Sequence, residues 1–283
     1  MKYIYLTAHG GFNDILCVTE KAINVCRKNK RTLLLDTINN HSYKINFSDY
    51  FNVVNVPIIC DMNEIKKIVF NKDLTIFPNI LNNKMEDIVY KKVPITYKAG
   101  GFKYNNSNIN LVLPSAEQKE DIIVYVACGN GRNGFHFLNN HVFFKKDIVN
   151  YCNNNLSKIN RPYICIYIRN TDRKCDYINL YNTHKELIHT YKNVYIATDD
   201  KNVISFFKNI PLNVYNFTTF PDDNYKALHY SNVDKDIKIK DLISDLYIIT
   251  MADKLLSNSE GGFNKLVSSC NKNALSIKNK FIM

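Results

Sequence analysis

The sequence predicts an α/β protein made of two doubly wound, Rossmann-like domains, which we assign to residues 1–140 and 141–283. One observation is a β-α-β pattern near the start of the chain, where a strand, a glycine loop and a helix over 15–28 lead into the apolar strand "TLLLD". A strand that is apolar on both faces is typical of a parallel sheet covered by helices. The other is a run of four strand and helix units from about residue 161. Two such domains leave a cleft, and ligands of these folds bind beyond the carboxyl ends of the strands.

The individual elements follow from apolar periodicity. The first strand covers residues 3–8, and the helix after it carries an apolar face at helical spacing, made of Ile15, Val18, Ala22 and Val25. The pattern is weaker between about 40 and 120, where short strands such as "FNVVNV" alternate with Asn-rich connections. In the second half, strands are predicted at "PYICIYIR", "NVYIATDD", "NVYNF" and "KLLSNS", and helices at 181–191, 201–207, 240–252 and 263–269.

Composition favours a folded, cationic protein with an anionic partner. Of the 283 residues 46% are hydrophobic, and 37 Lys and Arg against 26 Asp and Glu give a net charge of +11. The cations are scattered as single residues and short pairs, which favours a phosphate-bearing small molecule over nucleic acid. The chain starts directly with a strand-like segment and has no apolar run long enough for a membrane span, so we expect a cytoplasmic location. Its eight cysteines lack metal-ligand spacing and are expected to be reduced thiols.

Charged residues follow two of the predicted strands. The strand "ICIYI" runs into Arg169, Asp172 and Arg173, and the next strand ends in Asp199 and Asp200. A guanidinium group at the carboxyl end of a strand can hold a phosphate through two hydrogen bonds. The alternatives are a charged surface turn for the arginine segment and a helix N-cap for the aspartate pair, and capping is compatible with ligand binding.

Further candidates lie on a helix and in two glycine loops. Asp245 falls beside the apolar stripe formed by Leu242 and Ile249, where a carboxylate needs partners, either a ligand or a neighbouring loop. One glycine loop, near the N-terminus, contains Gly10 and Gly11. The other, near the C-terminus, contains Ser259, Glu260, Gly261 and Gly262. Each loop precedes a predicted helix, and its small residues let backbone amides approach an anion closely.

The segment "CGNGRNG" matches G-x-G-x-x-G at Gly129, Gly131 and Gly134. A dinucleotide or S-adenosylmethionine site would need a helix to open at this point and an acidic residue further on. The next residues, "FHFLNNHVFF", are a poor helix, so we interpret the segment as an inter-domain turn. Asp234 and Asp236 lie in a charged loop rather than after an apolar strand, and no metal site is predicted.

In their order along the chain, these motifs resemble those of the fucosyltransferase superfamily of GT-B glycosyltransferases. The resemblance is to the core α-1,6-fucosyltransferases and the nodulation-factor fucosyltransferases. "GGFNDILCVTEKAINVCRKNKRTLLLD" resembles that family's glycine loop, helix and "GRTL" strand, and "YIRNTDR" resembles its H-x-R-R-T-D-K motif. "VYIATDD" resembles its "YLATDD", and residues 241–269 resemble its last helix, strand and helix. Residues 40–120 have no counterpart.

The resemblance implies roles for individual residues. Arg169 corresponds to the arginine that binds the β-phosphate of the donor, Asp172 and Arg173 to the T-D-K pair, and Asp245 to the carboxylate that reads the nucleobase. The other implied donor-binding residues are Asp199, Asp200, Gly10, Gly11, Phe12, Asn13, Tyr167, Ser259, Glu260, Gly261 and Gly262. Two positions depart from the motif: Tyr167 replaces a histidine that contacts guanine, and Asn170 replaces the second arginine. The departures leave the donor open between GDP-fucose and a UDP-sugar such as UDP-xylose.

The resulting functional hypothesis is an inverting, metal-independent glycosyltransferase that acts on the hydroxyl of a glycan or glycoconjugate. Domain 1–140 would lie on the acceptor side, and domain 141–283 would bind the nucleotide sugar. Arg169, with backbone amides of 10–13 and 260–262, would stabilise the leaving diphosphate, so no cofactor or metal is expected. Asp176 or His9 would be the general base, with Asp176 preferred. A cytoplasmic enzyme of this kind suits a bacterial or viral origin.

Two other classes remain open from the sequence. An enzyme dependent on S-adenosylmethionine or NAD would bind its cofactor at the Gly129–Gly134 segment. A non-catalytic module would bind a nucleotide or glycan without turnover.

Overall fold

The computed structural model of the chain describes residues 1–40, 42–98, 101–105, 107, 109–115, 117–129, 132–222 and 224–281. The chain divides into two compact units, Met1–Phe143 and Phe144–Met283, called here the N-terminal and the C-terminal unit. Over the described ranges, none of the helices has both the length and the apolar character that a membrane crossing requires.

The N-terminal unit contains a parallel sheet. Its helices are α1 (Phe12–Lys28), α2 (Met62–Val69), α3 (Met85–Val89) and α4 (Phe135–His141). Its strands are β1 (Lys2–His9), β2 (Arg31–Asp36), β3 (Phe51–Val53), β4 (Ile58–Ile59), β5 (Ile76–Phe77), β6 (Ile95–Lys98), β7 (Gly101–Tyr104) and β8 (Ile122–Cys128), while β9 (Val142–Phe144) ends at the boundary of the units. Among the described residues, the sheet has the order β4-β2-β1-β8-β5, and β6 and β7 form an antiparallel hairpin.

The C-terminal unit contains a second parallel sheet, of order β12-β11-β10-β13 in its described part. Its helices are α5 (Lys146–Leu156), α6 (Tyr177–Tyr191), α7 (Lys201–Lys208), α8 (Lys235–Met251), α9 (Gly262–Lys272) and α10 (Ala274–Lys278). Its strands are β10 (Tyr163–Ile168), β11 (Asn193–Thr198), β12 (Asn213–Tyr215) and β13 (Lys254–Leu256). The predicted doubly wound α/β fold class is thereby confirmed.

Each unit has its own core on its sheet. Strand β10 is buried at every residue and packs side by side with β11, with Ile164 opposite Val194 and Ile168 opposite Thr198. In the N-terminal unit β1 is flanked by β2 and β8, and the register with β8 runs from Tyr3 opposite Ile122 to His9 opposite Cys128. Because neighbouring strands are parallel and in register, their carboxyl ends lie at one edge of each sheet. Polar residues that follow these strands are brought together there.

Several helix boundaries differ from the prediction: α6 begins at Tyr177 rather than residue 181, and α9 ends at Lys272 rather than residue 269. Two other helix starts differ for a reason that the contacts show. Helix α1 begins at Phe12 rather than Ile15, because Phe12 and Asn13 are buried against other parts of the unit. Helix α8 begins five residues before the predicted start, because the carboxylate of Asp234 accepts hydrogen bonds from the amides of Asp236 and Ile237 at 2.8 and 3.2 Å. The charged segment 234–236 is thus a helix N-terminus.

The segment after β8 was predicted as an inter-domain turn followed by a poor helix, and its assignment to a turn between the domains is wrong. Gly131 lies outside the described residues, whereas Gly129 and Gly134 belong to the N-terminal unit and pack against the first turns of α1. The amide of Gly134 donates to Oδ1 of Asn13 at 2.9 Å, and Nδ2 of Asn13 donates to the carbonyl of Arg132 at 2.7 Å. This anchored loop leads into the short helix α4, which has weak intrinsic periodicity. Tertiary contact with α1 therefore accounts for both the glycines and the helix start.

Replacing Gly134 with alanine is expected to destabilise the protein by about 1–3 kcal/mol, the usual cost of forcing extra volume into a packed site. A Cβ atom at this position would lie 2.5 Å from Cβ of Leu16. The matched control is Gly11→Ser, because a Cβ there meets only Asp14 Oδ2 at 3.9 Å and serine suits the N-cap. Urea unfolding of both variants measures the difference. Equal midpoints for Gly134→Ala and the wild type would contradict the packing argument.

Candidate anion-binding site in the C-terminal unit

The turn after β10 is organised around an arginine and an aspartate. Nε of Arg169 donates to Oδ1 of Asp172 at 2.8 Å, and Nη2 binds Oδ2 of the same carboxylate. Partial burial disfavours the charge of both groups, yet their hydrogen bonds and mutual attraction raise the pKa of Arg169 and lower the pKa of Asp172. Both side chains are therefore held in their ionised forms, and the guanidinium has a defined orientation.

A network of carboxylates and an amide fixes the same turn to the end of β11. Asp199 accepts hydrogen bonds from the amide of Asn170 at 2.7 Å and from the hydroxyl of Thr171. Nδ2 of Asn170 donates to Oδ2 of Asp200 at 2.8 Å, and its Oδ1 accepts from the amide of Cys175 at 3.1 Å. Burial raises the pKa of Asp199 despite these hydrogen bonds. The aspartate pair therefore holds the turn that carries Arg169.

Asp200 also caps a helix. Its Oδ1 accepts from the amide of Asn202 at 2.9 Å in the first turn of α7. The capping alternative is therefore correct for Asp200, and it coexists with the contact to Asn170. Both Asp199 and Asp200 therefore hold the turn after β10 through hydrogen bonds within the protein.

The loop after β13 forms the other side of the site. Oγ of Ser259 accepts from the amide of Arg169 at 2.9 Å and donates to the carbonyl of Tyr167 at 3.4 Å. Gly261 has φ +118°, a conformation that favours glycine, and caps α9. A Cβ atom on Gly261 would lie 3.7 Å from Nη1 of both Arg169 and Arg173. Two guanidinium groups therefore converge on the amino end of α9.

The turn after β10 and the loop after β13 line a pocket of about 420 Å³ that is open to solvent. We call it the anion pocket; its described lining consists of Arg169, Arg173, Lys174, Cys175, Asp176, Asn258, Ser259 and Glu260. Three of these side chains are cationic and two are anionic, and the amino end of the 11-residue helix α9 lies beside them. Aligned helix amides and guanidinium groups both favour a bound anion. The pocket can therefore hold a phosphate or a carboxylate group.

Asp176, the preferred base from the sequence, lies in this pocket and also serves as the N-cap of α6. Its Oδ1 accepts from the amide of Asn179 at 2.9 Å, and its carbonyl accepts from Nδ2 of Asn258 at 3.0 Å. Sequence reasoning missed Asn258, and it treated Asn170 only as a departure from a motif. Asn170 binds Asp200 and Cys175, and Asn258 binds the carbonyl of Asp176. These contacts are visible only in the folded chain.

Asp245 lies apart from the anion pocket and has protein partners. Its carboxylate accepts from the hydroxyl of Tyr195 and from that of Thr218, the latter at 3.2 Å. One turn earlier on α8, Asp241 accepts from the hydroxyl of Tyr151 and the amide of Thr219, both at 2.7 Å. Burial raises the pKa of Asp245 to about 7. The two carboxylates hold the loop after β12 against α8, which is the neighbouring-loop alternative foreseen for Asp245.

Tyr167 and the predicted residues of the N-terminal glycine loop are used largely for packing. Tyr167 is 8% exposed as a residue, and its ring lies 5.7 Å from that of Phe263, so little of its surface is accessible. Phe12 is buried with its ring 5.6 Å from Phe51, and both ends of the Asn13 amide bind the segment 132–134. These three side chains therefore have partners within the protein, and their role in donor binding stays a prediction.

The backbone of the glycine loop is shaped by Asp14. The amide of Gly11 donates to Oδ2 of Asp14 at 3.0 Å, which removes one amide predicted to meet the donor. Gly10 has φ +100°, and a Cβ atom there would lie 2.6 Å from Asp14 Oδ2. His9 at the end of β1 stacks on Phe102 with 4.8 Å between ring centres.

Among the described residues, no group of three or more His, Cys, Asp or Glu side chains is arranged to hold a metal ion, and metal independence stays a prediction.

Comparison with solved structures identifies the fold. The chain matches NodZ α-1,6-fucosyltransferase soaked with GDP-fucose at a TM-score of 0.59 and 14% identity, over 98% of this chain and 92% of that one. It matches NodZ co-crystallised with GDP at 0.57 and 15%, over 90% and 87%, and NodZ from Bradyrhizobium at 0.56 and 14%, over 90% and 87%. The chain has a fucosyltransferase-like GT-B fold. No protein-family profile and no curated protein sequence matches it.

The raised pKa of Asp245 predicts a pH-dependent stability. A carboxyl group whose folded pKa lies above its unfolded value binds more protons when folded, so stability falls as the pH rises from about 4 to about 7. Asp245→Asn removes this loss, and its stability relative to the wild type should be higher at pH 8 than at pH 5. The control is Asp222→Asn, which neutralises an exposed carboxylate. Chemical unfolding at both pH values measures the effect, and parallel curves for wild type and Asp245→Asn would refute it.

Proposed function

We propose that the chain is a glycosyltransferase that binds a nucleoside-diphosphate sugar through the anion pocket. The observation that carries this proposal is the convergence of Arg169 and Arg173 on Gly261, beside the amino end of α9. A diphosphate presents several anionic oxygens within a short distance, and guanidinium groups bind such oxygens in pairs. The GT-B fold supports the same reading, because the NodZ structures with this fold contain GDP or GDP-fucose.

In the proposed reaction the bond between the sugar and the diphosphate breaks, and negative charge grows on the leaving diphosphate. Arg169 is already oriented by Asp172, and Nη1 faces the loop of Gly261, so the charge is met by a group that needs little rearrangement. Fixed donors of this kind stabilise developing charge more effectively than mobile water. Arg173 and the amides of α9 add to the field. With these cations present, the proposed transfer needs no divalent metal and no cofactor.

The acceptor in this proposal is a hydroxyl of a glycan or glycoconjugate, which attacks with inversion at the anomeric carbon. Asp176 is the proposed base, because it lines the anion pocket together with Arg169. One of its oxygens is engaged by the amide of Asn179, which fixes the carboxylate in place. His9 is the second candidate for the base and belongs to the N-terminal unit.

The donor is proposed as GDP-fucose or a UDP-sugar such as UDP-xylose. The nucleotides in the NodZ structures favour guanine. Tyr167 is buried at the position where the resembling family has a guanine-contacting histidine, which favours a different base. Asp245 would read the base only by exchanging its contacts with Tyr195 or Thr218.

A cofactor-dependent reaction at the Gly129–Gly134 segment has less support. The close approach of Gly129 to Asp14, where a Cβ atom would lie 2.5 Å from Oδ1, explains this glycine by packing alone. Gly134 is explained in the same way by Leu16. The segment thus needs no bound dinucleotide to account for these two glycines.

Thermal unfolding with a ligand panel tests the proposed function. GDP, UDP, GDP-fucose, UDP-xylose, NAD and S-adenosylmethionine are compared, each with and without EDTA. A rise in Tm with GDP or UDP that persists in EDTA is expected, because a ligand that binds the folded state stabilises it. Stabilisation by NAD or S-adenosylmethionine alone would overturn the proposal. Product analysis with the stabilising donor and glycan acceptors then separates a transferase from a module that only binds.

Arg169→Gln should weaken binding of the stabilising nucleotide by about 10- to 100-fold, because a hydrogen bond to a charged group contributes about 1.5–3 kcal/mol. Transfer should fall by at least as much, since the leaving group loses its main cation. Arg27→Gln on α1 is the matched control, since it makes the same change at an exposed arginine of the other unit. Isothermal titration and initial rates measure the two effects. An Arg169→Gln variant with wild-type affinity and turnover would disprove the assigned role.

A further inference from the structure

The N-terminal unit contains a second pocket that the proposed donor site does not use. It has a volume of about 280 Å³ and lies between α1, the end of β8 and the β6–β7 hairpin. We call it the aromatic pocket, because its described lining includes Tyr97, Phe102 and Tyr125. Ligand pockets usually exceed about 300 Å³, so this volume suits a single ring better than a whole nucleotide sugar.

The aromatic side chains present ring surface to the pocket. Tyr97 is 68% exposed and meets the edge of Phe102 with 5.2 Å between ring centres. Phe102 is backed by the ring of His9, stacked at 4.8 Å, so its position is supported from behind. Tyrosine combines an apolar face with a polar hydroxyl. A sugar ring has the complementary character, with apolar C–H faces and hydroxyl groups at its edge.

The charge of the aromatic pocket is positive. Lys21 and Arg132 line it, and among its described lining residues there is no carboxylate. The ammonium of Lys21 lies 5.9 Å from the centre of the Tyr125 ring, at the pocket wall. Two carboxylates of α1 lie nearby: Asp14, which accepts from the amide of Gly11 and lies against Gly129 of the lining, and Glu20, which contacts His136. An anionic group on a ligand would therefore meet two cations.

Arg132 is held in place from the backbone. Its carbonyl accepts from Nδ2 of Asn13 at 2.7 Å, and Asn13 is buried in the first turn of α1. Lys21 lies two turns further along the same helix. Both cations are thus positioned relative to one rigid element, which lowers the entropy lost when they bind a ligand.

We propose that the aromatic pocket binds a hexose ring that carries an anionic substituent, either a carboxylate or a phosphate. The ring stacks on the exposed Tyr97 and packs against Phe102, and the anionic group lies between Lys21 and Arg132. This inference rests on the proposed function in one respect: if the chain is a glycosyltransferase, the bound ring is part of its acceptor glycan. The assignment adds a substrate class to that function, namely an acidic rather than a neutral sugar.

Binding of three monosaccharides to the full chain tests the charge requirement. Sodium glucuronate, glucose 6-phosphate and glucose are titrated by saturation-transfer NMR. Either acid, or both, should bind with a Kd about tenfold below that of glucose, because hydrogen bonds to charged groups are stronger than neutral ones. Preference for one acid identifies the anionic group. Equal binding of all three sugars, or no binding, overturns the inference.

Matched variants locate the binding. Lys21→Gln and Arg132→Gln should each raise the Kd of the preferred acid by about threefold to tenfold, whereas Lys28→Gln, the same change at an exposed lysine of α1 outside the pocket, should not. Tyr97→Ala should weaken all three sugars, and Tyr90→Ala, an exposed tyrosine outside the pocket, is its control. If the pocket variants and the controls behave alike, the sugar binds elsewhere and the inference fails.

The same samples separate this inference from the proposed function. Stabilisation by GDP or UDP is measured on the wild type and on Lys21→Gln. Nucleotide binding that persists while acid binding is absent in the wild type contradicts the aromatic pocket alone. Acid binding that depends on Lys21 in a protein that ignores every nucleotide contradicts the transferase assignment and leaves the sugar pocket standing.

Discussion

The hydrogen bonds between Asn170 and the aspartate pair at 199–200 are the constraint on which the candidate site depends. Asn170 links the ends of two neighbouring strands, since its amide and Nδ2 bind carboxylates that follow β11 while it directly follows Arg169. Its Oδ1 at the same time accepts from Cys175 and closes the turn. An arginine side chain is long and loses much rotamer entropy when it is fixed. Fixing its backbone through this network, and its guanidinium through Asp172, removes part of that loss before any ligand arrives.

The concentration of charge at the end of a buried strand follows from the same arrangement. Arg169 uses Nε and Nη2 for Asp172 and turns Nη1 toward the loop of Gly261, where Arg173 also points. Asp172 thus neutralises part of the positive charge without covering the face that meets α9. Over the described ranges Arg173 forms no ion pair, so a bound anion would supply it with a counter-charge beside the amino end of α9. The turn is therefore built as a partly compensated cationic site rather than as a simple surface ion pair, which contributes little to stability.

How far the sequence predicts this protein depends on where the determining contacts lie. The C-terminal sheet was predictable because each of its apolar strands is followed by a helix in the sequence. Parallel strands then bring the polar residues at their carboxyl ends to one edge of the sheet. Asn170 could not be recognised, because its partners at 199–200 lie about thirty residues away and only the register of β10 with β11 brings them together. Asp245 was correctly singled out as needing partners. Its protein partners, Tyr195 and Thr218, could not be read from the sequence, because only the tertiary structure brings them to α8.

Similar glycine motifs in this chain have different physical causes, and the difference bears on function. Gly129 and Gly134 are required because α1 lies so close that a Cβ atom would overlap it. Gly261 has room for a Cβ atom at ordinary contact distance, and its φ of +118° is what requires glycine. Where packing requires a glycine, as at Gly129 and Gly134, contacts within the protein explain it and no ligand is needed. Gly261 is required by backbone conformation and faces two arginines at the start of α9, which is the arrangement that favours an anion in the proposed function.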